Sequence, residues 1–321
     1  MQFQLTQHSL TGSRPTNQDR VAVTERDNAV LMVLADGLGG HEGGALAADM
    51  LTQTLVRAFR AVRQPAITKP SAFLALAIMQ AHKNILALGA SQQPPITPRT
   101  TCVVCLVQNG YAYWAHVGDS RLYHFRNGGV VQRTLDHSTT EQLHLDGLLS
   151  EDEMRGHPEK SHLLKCVGGP RKPTISLGAE TALLRGDTLL LCSDGLWQAY
   201  THEQLTRYLE HPSLEVGVEE MLLAAESKMK KDCDNLSAIC LRWQDGVTSS
   251  PSLQPISQKE TSQQLMWDDA WIKNAENRLQ RRKQSSPGGN KPGSNQKESL
   301  EATIEDLEEY VRQFEPKPRT P

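Results

Sequence analysis

The chain lacks the features that mark several classes of protein. Its 321 residues contain no run of about eighteen uninterrupted apolar residues, and the N-terminus lacks the basic and then apolar layout of a signal peptide. The formal net charge of -3 is too small to indicate a broad basic face for nucleic acid or anionic lipid. We therefore expect a soluble, cytoplasmic protein whose partners include neither nucleic acid nor a membrane.

Cysteine is also scarce, and its placement does not indicate disulfides. Six cysteines in a chain of this length do not make a disulfide scaffold, so we expect reduced thiols. Cys102 and Cys105 have the spacing of some metal and redox motifs, but they lie in a predicted strand, where positions three apart face opposite sides of the sheet. We therefore predict core packing for both. Cys233 adjoins Asp234 and leaves two interpretations, an oxidation sensor or, as we favour, a packed thiol.

Four aspartates stand beside a Gly or an Asn at the end of an apolar run. Asp36, Asp119 and Asp194 each follow such a run, and Asp234 comes just before another. Apolar runs of this length are typical of buried strands. The end of a strand holds a carboxylate on rigid backbone at the edge of the core. Four such carboxylates, if they converge, would form a site for a hard divalent cation.

The spacing of apolar residues predicts an α+β fold. Strands are expected in hairpins and helices in pairs, an arrangement that indicates this class. Asn109-Gly110 is a strong signal for a tight hairpin turn, and capping boxes are predicted at Ser138, Ser150 and Thr201. The predicted strands are 21–24, 29–35, 100–108, 111–126, 129–134, 183–192 and 236–243, and the longer predicted helices are 43–60, 71–88, 201–209 and 214–230.

The composition changes near residue 246 to Ser, Pro, Gln, Lys and Gly, which is typical of a linker. We therefore predict one catalytic domain at 1–245 and a largely flexible tail at 246–321. Two segments of the tail, 265–283 and 300–314, have helical spacing, and each would form a short helix that docks on a partner protein. The alternative is a tail that folds back on its own domain or stays disordered.

Six short motifs occur together in one order, and together they resemble the bacterial type of the protein phosphatase 2C family, the metal-dependent Ser/Thr protein phosphatases. The resemblance covers about residues 3–243. It implies two antiparallel β-sheets packed as a central sandwich, flanked by helical layers, with a helical flap at 138–169. The motifs are Arg14-Pro-Thr-Asn-Gln-Asp19, Leu34-Ala-Asp-Gly-Leu-Gly-Gly-His41, Val117-Gly-Asp-Ser-Arg121, Asp136-His-Ser138, Cys192-Ser-Asp-Gly-Leu196 and Asp234-Asn-Leu-Ser237.

The resemblance also implies a set of ligands for two Mn²⁺ or Mg²⁺ ions. Asp36 would bridge the ions, Asp194 and Asp234 would complete one, and Asp19 and the Gly37 carbonyl would serve the other. Asp119 matches the position that contributes to a third, weaker ion in bacterial relatives; the alternative for it is a capped turn.

Arg14 matches the position of the residue that clamps the phosphate in the family. An arginine suits that function, because a guanidinium fork can bind two phosphoryl oxygens. Its alternative is an ordinary surface charge. Leu38 occupies the place where many eukaryotic members have a proposed general acid, a His. The function of general acid would then fall to His41 or to a metal-bound water. The alternative for His41 is a residue that only orients a carboxylate or a water. Gln18 stands where many members have an acidic residue.

The function implied is hydrolysis of phosphoserine and phosphothreonine in proteins, in one step and in opposition to a Ser/Thr kinase. Two alternatives are a catalytically silent member of the fold that binds a partner, and a two-metal hydrolase of small phosphoesters. Loss of a metal aspartate would favour the first alternative, and all the aspartates are present. A cleft lined with base-stacking aromatic or basic residues would favour the second.

Overall fold

The structure is a computed structural model that describes residues 1–26, 28–38, 43–160, 162–246 and 265–266. In these ranges the helices are α1 Gly44–Ala61, α2 Pro70–Ala90, α3 Thr139–Leu145, α4 Glu151–Gly156, α5 Asp194–Trp197, α6 His202–Leu209 and α7 Leu214–Met229. The strands are β1 Phe3–Leu10, β2 Asp19–Arg26, β3 Ala29–Asp36, β4 Arg99–Thr100, β5 Cys102–Gln108, β6 Tyr111–Val117, β7 Arg121–Arg126, β8 Gly129–Arg133, β9 Val167–Gly168, β10 Ser176–Leu177, β11 Thr181–Ala182, β12 Thr188–Cys192, β13 Leu236–Trp243 and β14 Leu265–Met266.

The strands form two large antiparallel sheets. The first has the order β1-β13-β12-β7-β8, and the second has the order β14-β10-β6-β5-β3-β2, with β11 paired to β6. A separate two-stranded pair, β4 and β9, lies off both sheets. The predicted hairpin turn at Asn109-Gly110 is confirmed, since both residues have positive φ, 54° and 81°.

Alternation along the strands shows how the sheets are packed. On β3, Val30, Met32 and Leu34 belong to the cluster between the two sheets, whereas Leu31 and Val33 belong to the cluster under the helices. Successive residues of a strand point to opposite faces, so each strand of this sheet supplies two cores. The sandwich core therefore lies between the sheets, as predicted.

The two cysteines of Cys-x-x-Cys follow the same alternation. Cys102 lies in the cluster under the helices, while Cys105 lies between the sheets. Burial raises the pKa of each thiol above its ordinary value. The prediction of core packing is confirmed, and Cys233 is buried as well.

Helices cover the outer faces of both sheets, which confirms the α-β-β-α arrangement. Helices α1 and α2 pack on the second sheet, and α5, α6 and α7 pack on the first. Among the described residues, α2 is the one helix long and apolar enough to cross a membrane, and most of its apolar window is buried in the fold. Here that composition belongs to a helix packed in the core.

The predicted strand 111–126 is wrong in one respect, because the chain changes sheet within it. β6 ends at Val117 in the second sheet and β7 begins at Arg121 in the first. Gly118, with φ of +109°, makes the break, and a Cβ there would lie 2.8 Å from the Cβ of Thr101. The crossover formed by residues 118–120 therefore carries Asp119 from one sheet to the other.

Three smaller predictions have different outcomes. The capping boxes at Ser150 and Thr201 are confirmed. At Ser138 the hydroxyl accepts from the Glu141 amide, but the Glu141 carboxylate binds elsewhere, so that box is incomplete. In the tail, residues 265–266 form a short strand on β10, which contradicts a helix beginning there. The rest of 265–283 and all of 300–314 lie outside the described residues.

Candidate active site

Asp19 and Asp36 lie opposite each other at one end of the β2–β3 hairpin. They are paired residues in the register of these strands, so their side chains project from the same face of the sheet. By the alternation of β3, Asp36 continues the row of Met32 and Leu34, which faces the first sheet. Asp19 is buried and Asp36 is partly exposed. This end of the sandwich therefore presents two carboxylates between the sheets.

The first sheet supplies two more carboxylates at the same end. Asp194 opens α5 directly after β12, and Asp234 comes two residues before β13. Because β12 and β13 are neighbours, these chain segments lie side by side. Ser193 and Ser237 join them, since the Ser237 amide donates to Ser193 Oγ at 3.0 Å.

Five aspartates lie at this end of the sandwich, on segments that strand pairing and hydrogen bonds bring together. We call Asp19, Asp36, Asp119, Asp194 and Asp234 the carboxylate cluster. Burial and then the charges of Asp19 and Asp194 hold the pKa of Asp36 well above its usual range. Burial and then the charge of Asp234 raise the pKa of Asp194 to about 7. Burial, and then Asp194, also raises the pKa of Asp119. The segments that carry these aspartates therefore lie together, and the function of each aspartate as a metal ligand stays a prediction.

Asp19 is the clearest indication that the cluster fits a cation. Burial raises its pKa to about 6, against the effect of the nearby Ser237 and Ser193 hydroxyls. Those hydroxyls are close enough to lower the pKa, but neither oxygen of Asp19 has a hydrogen-bond partner of ordinary geometry, and the same holds for Oδ1 of Asp119. A buried carboxylate without donors is costly unless a cation neutralises it.

The described side chains are not already gathered around a single metal position. Within these ranges no group of three or more His, Cys, Asp and Glu residues has the spacing of a closed cage. The fit to a metal therefore rests on the donor set, which is carboxylate oxygen as Mg²⁺ and Mn²⁺ prefer, and on the unpaired oxygens of Asp19.

Arg14 lies at the rim of the cluster and binds one of its members. Its Nε donates to Asp234 Oδ1 at 2.8 Å and its Nη2 donates to Oδ2 at 2.7 Å. The hydrogen bond and the charge of Asp234 raise the pKa of the guanidinium. More than half of the Arg14 side chain is exposed, at 58%. The structure therefore places Arg14 beside the carboxylates, and its function as a phosphate clamp remains a prediction.

Two threonines that sequence reasoning did not assign hold the backbone of Asp36. Thr101 Oγ1 accepts from the Asp36 amide at 3.0 Å, and Thr100 Oγ1 donates to the Asp36 carbonyl at 2.9 Å. Gly37 pairs with Thr100 in an isolated bridge, and a Cβ on Gly37 would collide with the backbone of Gly44. The signal was the Thr-Thr pair before a strand, but hydroxyls of this kind are common in any sheet.

Four histidines remain to be placed, His41, His116, His124 and His137. His41 lies outside the described residues, so its predicted function is untested. His116, His124 and His137 are buried and bonded within the fold, which fits a structural function. His116 Nε2 lies 2.7 Å from the Leu135 carbonyl, and His124 Nε2 lies 2.9 Å from Asp187 Oδ2. Burial lowers the pKa of His116 to about 4 and that of His137 to about 2, which keeps both neutral.

Comparison with known proteins places this site in a family. The family model described as protein phosphatase 2C matches residues 6–231. The serine/threonine phosphatase stp of Listeria monocytogenes is 30% identical, over 61% of this chain and 79% of its own length. The structure of serine/threonine phosphatase Stp1 from Staphylococcus aureus is 26% identical, with a TM-score of 0.71, and covers 76% of this chain and 96% of that one.

A further structure shares the fold. It is the catalytic domain of the serine threonine protein phosphatase PstP in complex with 2 manganese ions, which is 24% identical with a TM-score of 0.62 and covers 76% of this chain and 99% of that one. Together the sandwich and the carboxylate cluster define a metal-dependent hydrolase. The chain belongs to the protein phosphatase 2C family, as its motifs indicated.

Proposed function

We propose that the carboxylate cluster holds two divalent cations, Mn²⁺ or Mg²⁺, and hydrolyses phosphoserine and phosphothreonine in proteins. The observation that carries the proposal is the buried, unpaired carboxylate of Asp19 opposite Asp36. In this assignment Asp36 is shared between the ions, Asp194 and Asp234 hold one, and Asp19 and the Gly37 carbonyl hold the other. Asp119 would contribute to a third ion. Membership of the family supports the reaction class.

The protein's own residues prepare this chemistry by fixing oxygen donors on rigid backbone. When bound, two divalent cations neutralise phosphoryl charge and activate water for in-line attack. Thr100 and Thr101 hold the backbone of Asp36, and the Ser193–Ser237 contact joins the segments that carry Asp194 and Asp234. The general acid remains a prediction: Leu38 has no proton to transfer, so His41 or a metal-bound water would supply it.

An assay with two substrates tests the proposal. Purified protein is given p-nitrophenyl phosphate or a phosphothreonine peptide with Mn²⁺, Mg²⁺ or chelator. Turnover of both substrates with metal and none with chelator is expected. A folded sample that turns over neither substrate with any metal would favour the silent binding protein. A nucleotide given under the same conditions separates the other alternative. Turnover of the nucleotide in strong preference to the peptide would favour the hydrolase of small phosphoesters.

Arg14→Ala should lower kcat/KM for p-nitrophenyl phosphate by about 10- to 100-fold, because a charged hydrogen bond to the phosphoryl group contributes roughly 1.5–3 kcal/mol. Inhibition by inorganic phosphate should weaken by a similar factor, which separates phosphate binding from metal binding. The matched control is Arg57→Ala, an exposed arginine on α1 bonded to Gln53. An unchanged phosphate inhibition constant in Arg14→Ala would show that Arg14 acts only as the partner of Asp234.

We also propose that the protein acts in the cytoplasm and opposes a Ser/Thr kinase. All six cysteines are free thiols, which suits a reducing compartment. Phosphoserine and phosphothreonine are produced by kinases, so the reaction requires one as its counterpart.

Truncation after Asp245 tests the predicted domain boundary. Unchanged activity and melting temperature would support a separate tail at 246–321, and loss of partner binding alone would support docking by that tail.

A further inference from the structure

A buried ionic network surrounds Arg121, the first residue of β7. Its side chain is fully buried. Nε and Nη2 donate to the two carboxylate oxygens of Asp136, each at 2.8 Å. Nη1 donates to the Tyr123 hydroxyl at 2.8 Å and to Glu151 Oε1 at 3.3 Å. A buried guanidinium is costly without such partners, so these contacts hold it in one place.

The flap reaches this network through its two helices. Glu141 of α3 accepts two hydrogen bonds from Arg133, both at 3.0 Å, and the Nε of Arg133 lies 3.2 Å from Oε1 of Glu151, which opens α4. Burial would raise the pKa of Glu151, but the His202 contact and the charges of Arg133 and Arg121 outweigh it and lower the pKa. Glu151 is therefore held as a carboxylate between the flap and β7.

On its other side the network reaches Asp119 of the carboxylate cluster. The ring of Trp197 stacks on Arg121, with the guanidinium carbon 3.6 Å from the ring centroid. The indole Nε1 of Trp197 donates to the Asp119 carbonyl at 2.9 Å. Asp119 is also only two residues before Arg121 in the chain. The guanidinium thus restrains the crossover at 118–120 through the backbone and through Trp197.

We propose that Glu151 is a positioning residue that acts through Arg121, so that the flap helix α4 and the crossover carrying Asp119 are held as one unit. The proposal deepens the proposed function, because Asp119 belongs to the carboxylate cluster. When Glu151 is engaged, the guanidinium is pinned and Asp119 keeps its place. When α4 moves away, Arg121 loses one acceptor and the crossover loosens. The position of the flap thereby controls the order of one cluster carboxylate.

Hydrogen exchange on the metal-free protein tests the coupling without reliance on catalysis. The amides of Gly118 and Leu122 lie on either side of Asp119 and are hydrogen-bonded, donating to His137 Nδ1 at 3.2 Å and Thr134 Oγ1 at 3.0 Å. Glu151→Gln should speed exchange about tenfold in α4 and also at these two amides, since the contacts of residue 151 with Arg121 and Arg133 lose the negative charge that strengthens them. Faster exchange confined to α4 would overturn the proposal, because a merely local anchor moves only its own helix.

Asp152→Asn is the matched control. Asp152 lies in the same first turn of α4 and pairs with Arg155 on its own helix. The substitution Asp152→Asn makes the same change of charge away from Arg121, so the amides of Gly118 and Leu122 should keep their wild-type exchange rates. If Asp152→Asn speeds both amides as much as Glu151→Gln does, the effect belongs to the charge of α4 and the proposal fails.

A second variant and a kinetic measurement complete the test. Arg121→Lys should also speed exchange both in α4 and at the Gly118 and Leu122 amides, since lysine cannot bind Asp136 as a planar fork. If this variant does not fold, the result for Glu151→Gln decides alone. With active enzyme, Glu151→Gln should raise the Mn²⁺ concentration needed for half-maximal hydrolysis by at least about threefold, while Asp152→Asn should not. Inactive wild-type protein would count against the phosphatase function and leave the exchange result valid.

Discussion

Asp36→Asn should abolish hydrolysis and, in the same protein, raise the melting temperature measured in chelator. Asp36 stands at the centre of the carboxylate cluster, and its pKa is held well above the usual range by burial and by Asp19 and Asp194. Removing its charge relieves that repulsion. In the proposed assignment, replacing one carboxylate oxygen by an amide and removing the charge would also weaken the ligand that the two cations share. Function and metal-free stability are therefore expected to change in opposite directions.

The expected size follows from each effect separately. Loss of the carboxylate proposed to bridge the ions would remove several kcal/mol of transition-state stabilisation, so kcat should fall about a thousandfold or more. Relief of about 1 kcal/mol of repulsion would raise the melting temperature by about 2–4 °C in a domain of this size. Calorimetry in chelator and the p-nitrophenyl phosphate assay with Mn²⁺ measure the two quantities on one sample.

Asp146→Asn provides the control, because it makes the same chemical change at an exposed residue at the end of α3. It should leave activity unchanged and shift the melting temperature little. If Asp36→Asn instead lowers the melting temperature in chelator, the Asp36 carboxylate must receive stabilising contacts, and the assignment of an uncompensated cluster is wrong.

The second large effect is a pH-dependent stability that metal reverses. The pKa of Asp19 is raised to about 6 and that of Asp194 to about 7, from an ordinary value near 3.8. At pH values between about 4 and about 7, the folded protein therefore binds more protons than the unfolded chain. The stabilisation that these two groups contribute is fully present below pH about 4 and is lost as the pH rises through the raised pKa values. In chelator, the melting temperature should fall as the pH rises from about 5 to about 8.

Mn²⁺ should remove this loss, because cations take the place of protons on the same oxygens. At a thousandfold excess over its dissociation constant, one bound ion contributes about 4 kcal/mol, which corresponds to roughly 10 °C. The increase should be larger at pH about 8 than at pH about 5, since fewer protons must be displaced. Scanning calorimetry at the two pH values checks both signs, and the same titration of Asp36→Asn should show a reduced increase. A metal response independent of pH would contradict the assignment of these carboxylates as ligands.

Much of the fold followed from local patterns. β13 spans residues 236–243 as predicted, since a run of apolar residues that is buried on both faces leaves little choice of structure. α1 at Gly44–Ala61 lies within one residue of its prediction because its apolar face repeats at helical spacing. Strand 111–126 was predicted too long. The crossover at Gly118 depends on a close approach to Thr101, a residue that no local pattern links to it.

The candidate site shows the same division. The choice of the five aspartates followed from their motifs, and the structure brings the segments that carry them to one end of the sandwich; their function as ligands stays a prediction. The contact between Ser193 and Ser237 was not predicted, because it joins neighbouring strands whose order in the sheet is set by tertiary packing. The pairing of Arg14 with Asp234 was also not predicted, since these residues are 220 positions apart.

The sequence by itself determined the family, the α+β class and the residues that would carry the chemistry, because motifs and apolar periodicity are local properties of the chain. Only the tertiary structure decided how those residues act together. Asp19 is left buried with both carboxylate oxygens unpartnered only when the sheets pack, and Arg121 contacts the flap because Asp136, Glu151 and Trp197 meet around it. Burial and charge pairing are properties of residues brought together from distant parts of the chain, so they arise only when the sheets pack.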